Sequence, residues 1–402
     1  MTASPDPARA SALPAVPSLS AASKVVLAAA GFPGRAPEDI YVADGRVVGR
    51  SPAGEVPSGW EVVDCQGLWV LPGLCDLWAH LPTRQEAWRE DPETLSAAAR
   101  AGGFTTVCTV TGEHRAEALA GRDAPVRLVP VAAGTHAGRL AELDALRRAG
   151  AVAFAVDADP GLMRRLLEYA ELPLAVHAEE PALARGGVAH ESALSALLGL
   201  PGIPAEAETV AVARDLLLAR AYGGRLHFAH LSTAGATQMV RRAKAAGLPV
   251  TAAVPIHNLV LTEDAIRTYN TSARLSPPLR SEDDRQALIQ GVIDGTIDAI
   301  VSNHRLCPPE DKEVPFAEAA AGAAALHLVL PAAVSVLPAE VAVAALTTRA
   351  ARCFGLELRG LTLFDPGAER EQAEGALGAL RLQGRVLHKH ALDSIITTAG
   401  GS

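Results

Sequence analysis

The sequence predicts a (β/α)8 barrel with a small β-domain built from both chain ends. Three observations carry this. After Pro72, eight apolar strand candidates occur in series, near residues 73–81, 104–110, 127–133, 151–157, 172–178, 225–232, 249–256 and 297–303. Stretches rich in Ala, Leu and Arg separate them, for example 91–102, 137–149, 205–222, 233–246 and 282–294. Strands alternating with helices imply a parallel sheet, and eight is the number that closes a barrel. Both flanks of this region read instead as short strands and turns.

Taken in order, residues 1–22 are rich in Ala, Ser and Pro and read as a disordered leader without the apolar core of a signal peptide. Residues 23–70 open the small domain. Val25-Val26-Leu27, Ile40-Tyr41-Val42 and Arg46-Val47-Val48 are its strands, and Asp44-Gly45 is a hairpin turn signal. The barrel takes 71–354. Strand character returns in 355–390, at Leu361-Thr362-Leu363-Phe364-Asp365-Pro366 and Gly384-Arg385-Val386-Leu387. Residues 391–402 read as a flexible tail.

Composition narrows the function classes. The 402 residues are 49% apolar, enough for a large core, and the net charge of −9 argues against nucleic acid as a partner. No apolar run is long and uncharged enough to span a bilayer. Cys65, Cys75, Cys108, Cys307 and Cys353 show no paired spacing, which points to a reducing cytoplasm. Positive charge is nearly all arginine; Lys24, Lys244, Lys312 and Lys389 are the only lysines.

In such a barrel, chemistry gathers at the C-terminal ends of the strands. His80 ends the first strand, His177 the fifth, His230 the sixth, and Asn303-His304 the eighth. A single histidine is most often a hydrogen-bonded structural imidazole. Three converging on one axis point to a site inherited from a metallohydrolase.

Several motifs make the resemblance specific. Asp44-Gly45-Arg46, Leu71-Pro72-Gly73-Leu74, Gly102-Gly103-Phe104-Thr105-Thr106-Val107 and His177-Ala178-Glu179-Glu180 appear in order. They are followed by Gly202-Ile203-Pro204-Ala205-Glu206-Ala207-Glu208, His227-Phe228-Ala229-His230-Leu231-Ser232-Thr233, Pro277-Pro278-Leu279-Arg280, Gly295-Thr296-Ile297-Asp298 and Phe364-Asp365-Pro366. From Lys24 to about Val386 the chain resembles bacterial dihydroorotases, within the cyclic amidohydrolases. The resemblance implies an amidohydrolase-type barrel that hydrolyses dihydroorotate reversibly to carbamoyl aspartate with one or two zinc ions.

The chain departs from that family at its chemistry. Where the family carries Asp-x-His-x-His, this sequence reads Asp76-Leu77-Trp78-Ala79-His80. An indole N–H donates only and cannot ligate a cation. Asn303 replaces the aspartate that takes the proton from the attacking water, and a neutral amide cannot act as a general base. On strand four the family's Phe-Ser-Asp-Asp-Gly becomes Phe154-Ala155-Val156-Asp157-Ala158, with one acid lost. Neither Lys244 nor Lys312 sits at a strand-four end to serve as a carboxylated bridge. The substrate anchors are replaced as well: by Pro82, with Arg84 two residues on, by Gly112 within Val110-Thr111-Gly112, by Ser276, and by Cys307 within Arg305-Leu306-Cys307.

Two readings follow. In the first, the chain is catalytically inactive, holds no cofactor, and is a structural subunit for aspartate carbamoyltransferase, as dihydroorotase-like chains with missing zinc ligands are in several bacteria. No catalytic or substrate-binding residue is then expected, and an oligomer is. The Leu/Ala-rich segment 316–346 is a candidate partner surface, although buried barrel helices share its composition. In the second reading, His80, His177, His230 and Asp157 hold at most one zinc, with Cys307 as a further donor. The chain is then an active dihydroorotase or a divergent mononuclear hydrolase of another cyclic amide.

Overall fold

The computed structural model describes residues 24–43, 46–52, 54, 56–83, 86–111, 126–369 and 382–387. The expected leader, the tail, the Asp44-Gly45 turn, Arg84 and Gly112 lie outside them. All eight barrel strands fall where the apolar runs place them: Leu74–His80, Phe104–Thr111, Arg127–Ala133, Ala153–Val156, Leu174–Val176, Leu226–Phe228, Val250–Pro255 and Ala299–Val301. They pair in parallel with sequential neighbours. The eighth meets the first through an Ala79–His304 bridge and a His80 N–H bond to the His304 carbonyl at 2.8 Å.

Strand alternation sorts the core into two layers. Leu77, Val131, Val301 and the small residues Ala153, Ala175, Ala253 and Ala299 fill the barrel interior. Phe154, Leu174, Phe228, Val254 and Ile300 face outward against the helices. Each large side chain so buried contributes about 1.5–3 kcal/mol. Helix starts follow side-chain caps legible in sequence: Asp91 closes a capping box before Pro92–Ala101, Asp159 caps Pro160–Tyr169, Thr233 caps Ala234–Ala245, and Ser281 caps Glu282–Ile293.

Two segments differ from the sequence reading. The 137–149 helix shortens to Leu143–Arg148, preceded by a hairpin of Thr135–His136 with Arg139–Leu140. Ala137 and Gly138 turn there with φ of 46° and 71°, a left-handed pair that no helix accommodates. The segment 316–346 is also not a continuous surface. It breaks into Val329–Val336 and Ala339–Leu346 around Pro338, and Val329, Leu330, Ala332, Ala333, Ala342, Val343, Ala345 and Leu346 are buried in the main core.

A second sheet joins both chain ends. Lys24–Phe32 pairs with Arg35–Ala43, which pairs with Arg46–Pro52; on the other side Trp69–Pro72 pairs with Leu361–Glu369, which pairs with Gln383–Leu387. Its core is Val25, Leu27, Ile40, Val42, Val63, Val70 and Leu363.

Two buried polar clusters brace the barrel. The Asp76 carboxylate accepts from the Ser302 backbone N–H at 2.9 Å and from its hydroxyl, so the first strand grips the eighth. Glu208 accepts from the backbone N–H groups of Ser232 and Thr233 at 3.0 Å and from both hydroxyls. Arg280 reaches the Ser232 hydroxyl at 3.2 Å, His190 Nδ1 at 3.0 Å and the Ile203 carbonyl at 2.7 Å. Glu208→Ala would leave the Ser232 and Thr233 backbone donors and hydroxyls without their acceptor and remove a carboxylate that balances the buried Arg280 charge. A loss of about 3–5 kcal/mol in urea unfolding is expected.

Buried titratable groups couple stability to pH. Burial pushes His227 down to about 3 and His257 down to about 4, so both are neutral when folded. Their stabilising contribution is present above the unfolded value near 6.5 and is lost as pH falls toward those folded values. Burial pushes Asp76 the other way, up to about 6, outweighing its Ser302 bonds. Its contribution is complete below the ordinary carboxylate range and lost as pH rises through 6. Between pH 6 and 5 Asp76 therefore offsets one imidazole. Asp76→Asn should steepen the loss of stability across that interval by about 1 kcal/mol per pH unit, measured by urea unfolding at the two pH values.

Candidate active site

The mouth of the barrel is shaped by an irregularity in its first strand. Asp76 pairs with Val107 and Ala79 with Thr109, so three steps on one strand oppose two on the other. The bulge at Leu77 and Trp78 re-aims the chain locally. Leu77 is fully buried, and the Trp78 indole stands edge-on against the His230 imidazole, ring centroids 4.9 Å apart at 88°.

His230 and His177 meet directly. Ala229 N–H bonds to the Val176 carbonyl at 2.9 Å and extends the pairing of strands five and six to their histidines. The two Nδ1 atoms lie 3.3 Å apart. Burial, then the neighbouring His177, holds His230 well below the ordinary imidazole range. A hydrogen bond between them needs one ring to donate from Nδ1 and the other to accept. Each ring has thus turned one nitrogen toward the other. Among the described residues the Nε2 atoms of both are enclosed and have no hydrogen-bond partner.

His80 is half-buried at the end of strand one, and burial followed by the nearby Arg305 pushes it down to about 4. Asp157 is exposed at the end of strand four, where its carbonyl accepts from the Thr135 hydroxyl at 3.2 Å. Among the described residues, no group of three or more His, Cys, Asp or Glu side chains is placed to hold a metal ion. The sequence-based ligand set of His80, His177, His230 and Asp157 is therefore only partly assembled: His177 and His230 are together, and the other two do not complete a set with them. A catalytic zinc takes three protein ligands and an open position. The donors as arranged do not fit that group.

Asn303, expected from sequence at the general-base position, has φ of 47°, in the left-handed region that Asn tolerates better than most residues. Its amide donates to the Ser276 carbonyl at 2.8 Å. A donor bonded to backbone holds no proton-accepting group toward a water. Next to it, His304 is used up on both nitrogens. Nδ1 accepts from the Ala325 N–H at 3.2 Å, so Nε2 carries the proton toward Glu90 at 3.0 Å. Arg89 pairs with Asp311 alongside. Together these contacts tie the loop after strand one to the loop after strand eight. The Glu90 and Arg89 partnerships were missed from sequence, because neither residue lies on a strand end or in a periodic segment.

The residues expected from sequence at the substrate-anchor positions carry little polar capacity. Pro82 is buried, Ser276 is exposed with its carbonyl taken by Asn303, and Cys307 is half-buried with its thiol pushed up by burial. Gly112 lies outside the described residues. Two cations are committed elsewhere: Lys312 donates to the carbonyls of Ala320 at 2.7 Å, Thr271 at 3.0 Å and Arg274 at 3.4 Å, and Arg280 is the internal brace described above.

Comparison with known proteins fits the frame of the molecule. Residues 67–236 match the dihydro-orotase-like family. The chain is 39% identical over 355 residues to a dihydroorotase of Syntrophobacter fumaroxidans, covering 81% of each protein. It is 38% identical over 376 residues to one of Anaeromyxobacter dehalogenans, covering 86% of this chain and 87% of that protein. Among solved structures it resembles the L-hydantoinase of Arthrobacter aurescens, with a TM-score of 0.78 at 23% identity over 90% of this chain and 93% of that one. A dihydropyrimidinase from Brevibacillus agri gives 0.73 at 20% identity, over 92% and 93%. The structural likeness establishes the amidohydrolase-type barrel with its attached β-sheet, and the sequence identity establishes descent: the chain belongs to the dihydroorotase-like family.

Proposed function

We propose that this chain is a dihydroorotase-family protein of pyrimidine biosynthesis that has kept the fold and given up zinc-dependent hydrolysis, and that it serves aspartate carbamoyltransferase as a structural subunit. One observation carries the first half. Trp78 stands in the first ligand position and packs on His230, whose Nδ1 is already engaged by His177. Asn303, bonded to the Ser276 carbonyl, supports the same reading from the other side of the mouth. The partnership rests on the resemblance to zinc-less family members that assemble with the transcarbamoylase.

The alternative is an active hydrolase of dihydroorotate or another cyclic amide. It is favoured by the names of relatives at 38–39% identity. Metal analysis and a dihydroorotate assay on the purified chain separate the two. The proposal expects no stoichiometric zinc and no turnover; stoichiometric zinc with turnover would revive the enzyme. Restoring Trp78→His and Asn303→Asp together should still give no dihydroorotase activity, because Pro82, Ser276 and Cys307 offer the substrate no anchor. Turnover by that double variant would show that recognition is intact.

The partnership has its own test. Co-expressed with aspartate carbamoyltransferase, the chain should co-elute with it in size-exclusion chromatography and raise its thermal stability by mass action. His177→Ala should leave co-elution unchanged while costing about 1–3 kcal/mol of fold stability through repacking. Separate elution would end the structural-subunit reading.

A further inference from the structure

The longest helix among the described residues, Glu206–Tyr222, carries apolar side chains on two opposite faces. Its inner face, Ala207, Ala211, Val212 and Ala219, is buried against the barrel. Its outer face is formed by residues spaced four and three apart: Glu206, Val210, Ala213, Leu217 and Arg220. That spacing is the seam pattern of paired helices. Val210 is 46% exposed and Leu217 68% exposed. Among the described residues no ion pair or side-chain hydrogen bond engages Glu206 or Arg220. Two neighbouring elements also expose large apolar side chains. Leu183 is exposed on the short helix whose leading Glu180 N–H bonds to the Ala207 carbonyl, and Tyr169 is exposed two residues beyond Leu167, which lies against Gly224.

The order of chemistry along this stripe decides what fits it. Ala213 is its midpoint, with Glu206 seven residues before and Arg220 seven after. Turning the stripe about a two-fold axis through Ala213 sets Glu206 against Arg220 of the other copy, about 10 Å from the axis at each end. The same rotation sets Val210 against Leu217, and the small Ala213 side chains let the backbones approach where they cross. The stripe is complementary to itself in charge, shape and hydrophobicity, which is the requirement for an isologous interface. We propose that this face is the dimerisation surface of the protein and that its occupant is a second copy of the same chain, in antiparallel helix packing. The inference stands apart from the reading of the barrel mouth and holds whether or not the chain is catalytic.

Sedimentation equilibrium of the full chain tests it. The wild type should dimerise, and Leu217→Glu, at an exposed site that leaves the monomer folded by circular dichroism, should weaken association by roughly 100-fold or more. Glu206→Arg and Arg220→Glu should each weaken it by placing like charges together. The two combined should restore it to within a few-fold of wild type, because the swapped charges face each other again. Ala213→Cys, placed on the axis, should give a disulfide-linked dimer on mild oxidation. A wild type that stays monomeric at about 100 μM would overturn the proposal. So would a dimer indifferent to Leu217→Glu, or a double charge swap no better than the single variants.

Discussion

The seam between the first and eighth strands is the constraint on which the rest of this molecule depends. A barrel has no free edge, so the last strand must meet the first in one register. Here the regular eighth strand covers only Ala299–Val301, and closure is completed by the Asp76 carboxylate on Ser302 and by His80 N–H on the His304 carbonyl. Sliding the first strand would strip a buried carboxylate of its donors. The bulge at Leu77 and Trp78 sits inside this fixed register, so the direction of the indole is set by closure rather than by the residue alone. Trp78 and Asn303, the two residues most at odds with metal-assisted hydrolysis, both lie on this seam.

Residues kept from the family pattern and residues changed obey different physical demands. Glu208, Ser232, Thr233 and Arg280 come from three separate motifs and form a single buried network. Loss of any member strands a polar group in the interior. The mouth residues are under no such demand. The indole of Trp78, packed edge-on against an imidazole, contributes about 0.5–1.5 kcal/mol, and the amide of Asn303 is satisfied by the Ser276 carbonyl. Both side chains are thus accommodated by the fold through contacts of their own. Neither side chain can ligate a cation as an imidazole does or take a proton from a water as a carboxylate does.

The helix Glu206–Tyr222 shows the converse case, an element answering two demands at once. Its inner face supplies small side chains that let it lie close to the barrel, along with Glu208 for the internal brace. Its outer face is apolar at the centre and oppositely charged at the ends. A helix serving only the barrel would be polar there. Periodicity alone blurs such an element, since apolar residues on both sides leave no single hydrophobic direction.

By itself the sequence determined the eight strands, the two-ended small domain and the inherited histidines. Those features follow from local patterns, namely apolar runs at strand length, cap residues before helices, and polar residues where strands end. Trp78 and Asn303 were equally legible as side chains that neither ligate a cation nor act as a base, because that concerns residue type at a strand end. Tertiary structure alone decided the rest. His177 and His230 face each other through Nδ1, Glu90 holds His304, Asp157 stands exposed, and the Ala137-Gly138 turn replaces the start of a helix. Each depends on how strands far apart in sequence are set against one another to within an ångström, and on which ring nitrogen or backbone carbonyl is nearest. Residue type and spacing carry no record of that, because ring orientation is chosen by packing against neighbours that only the closed barrel brings into place.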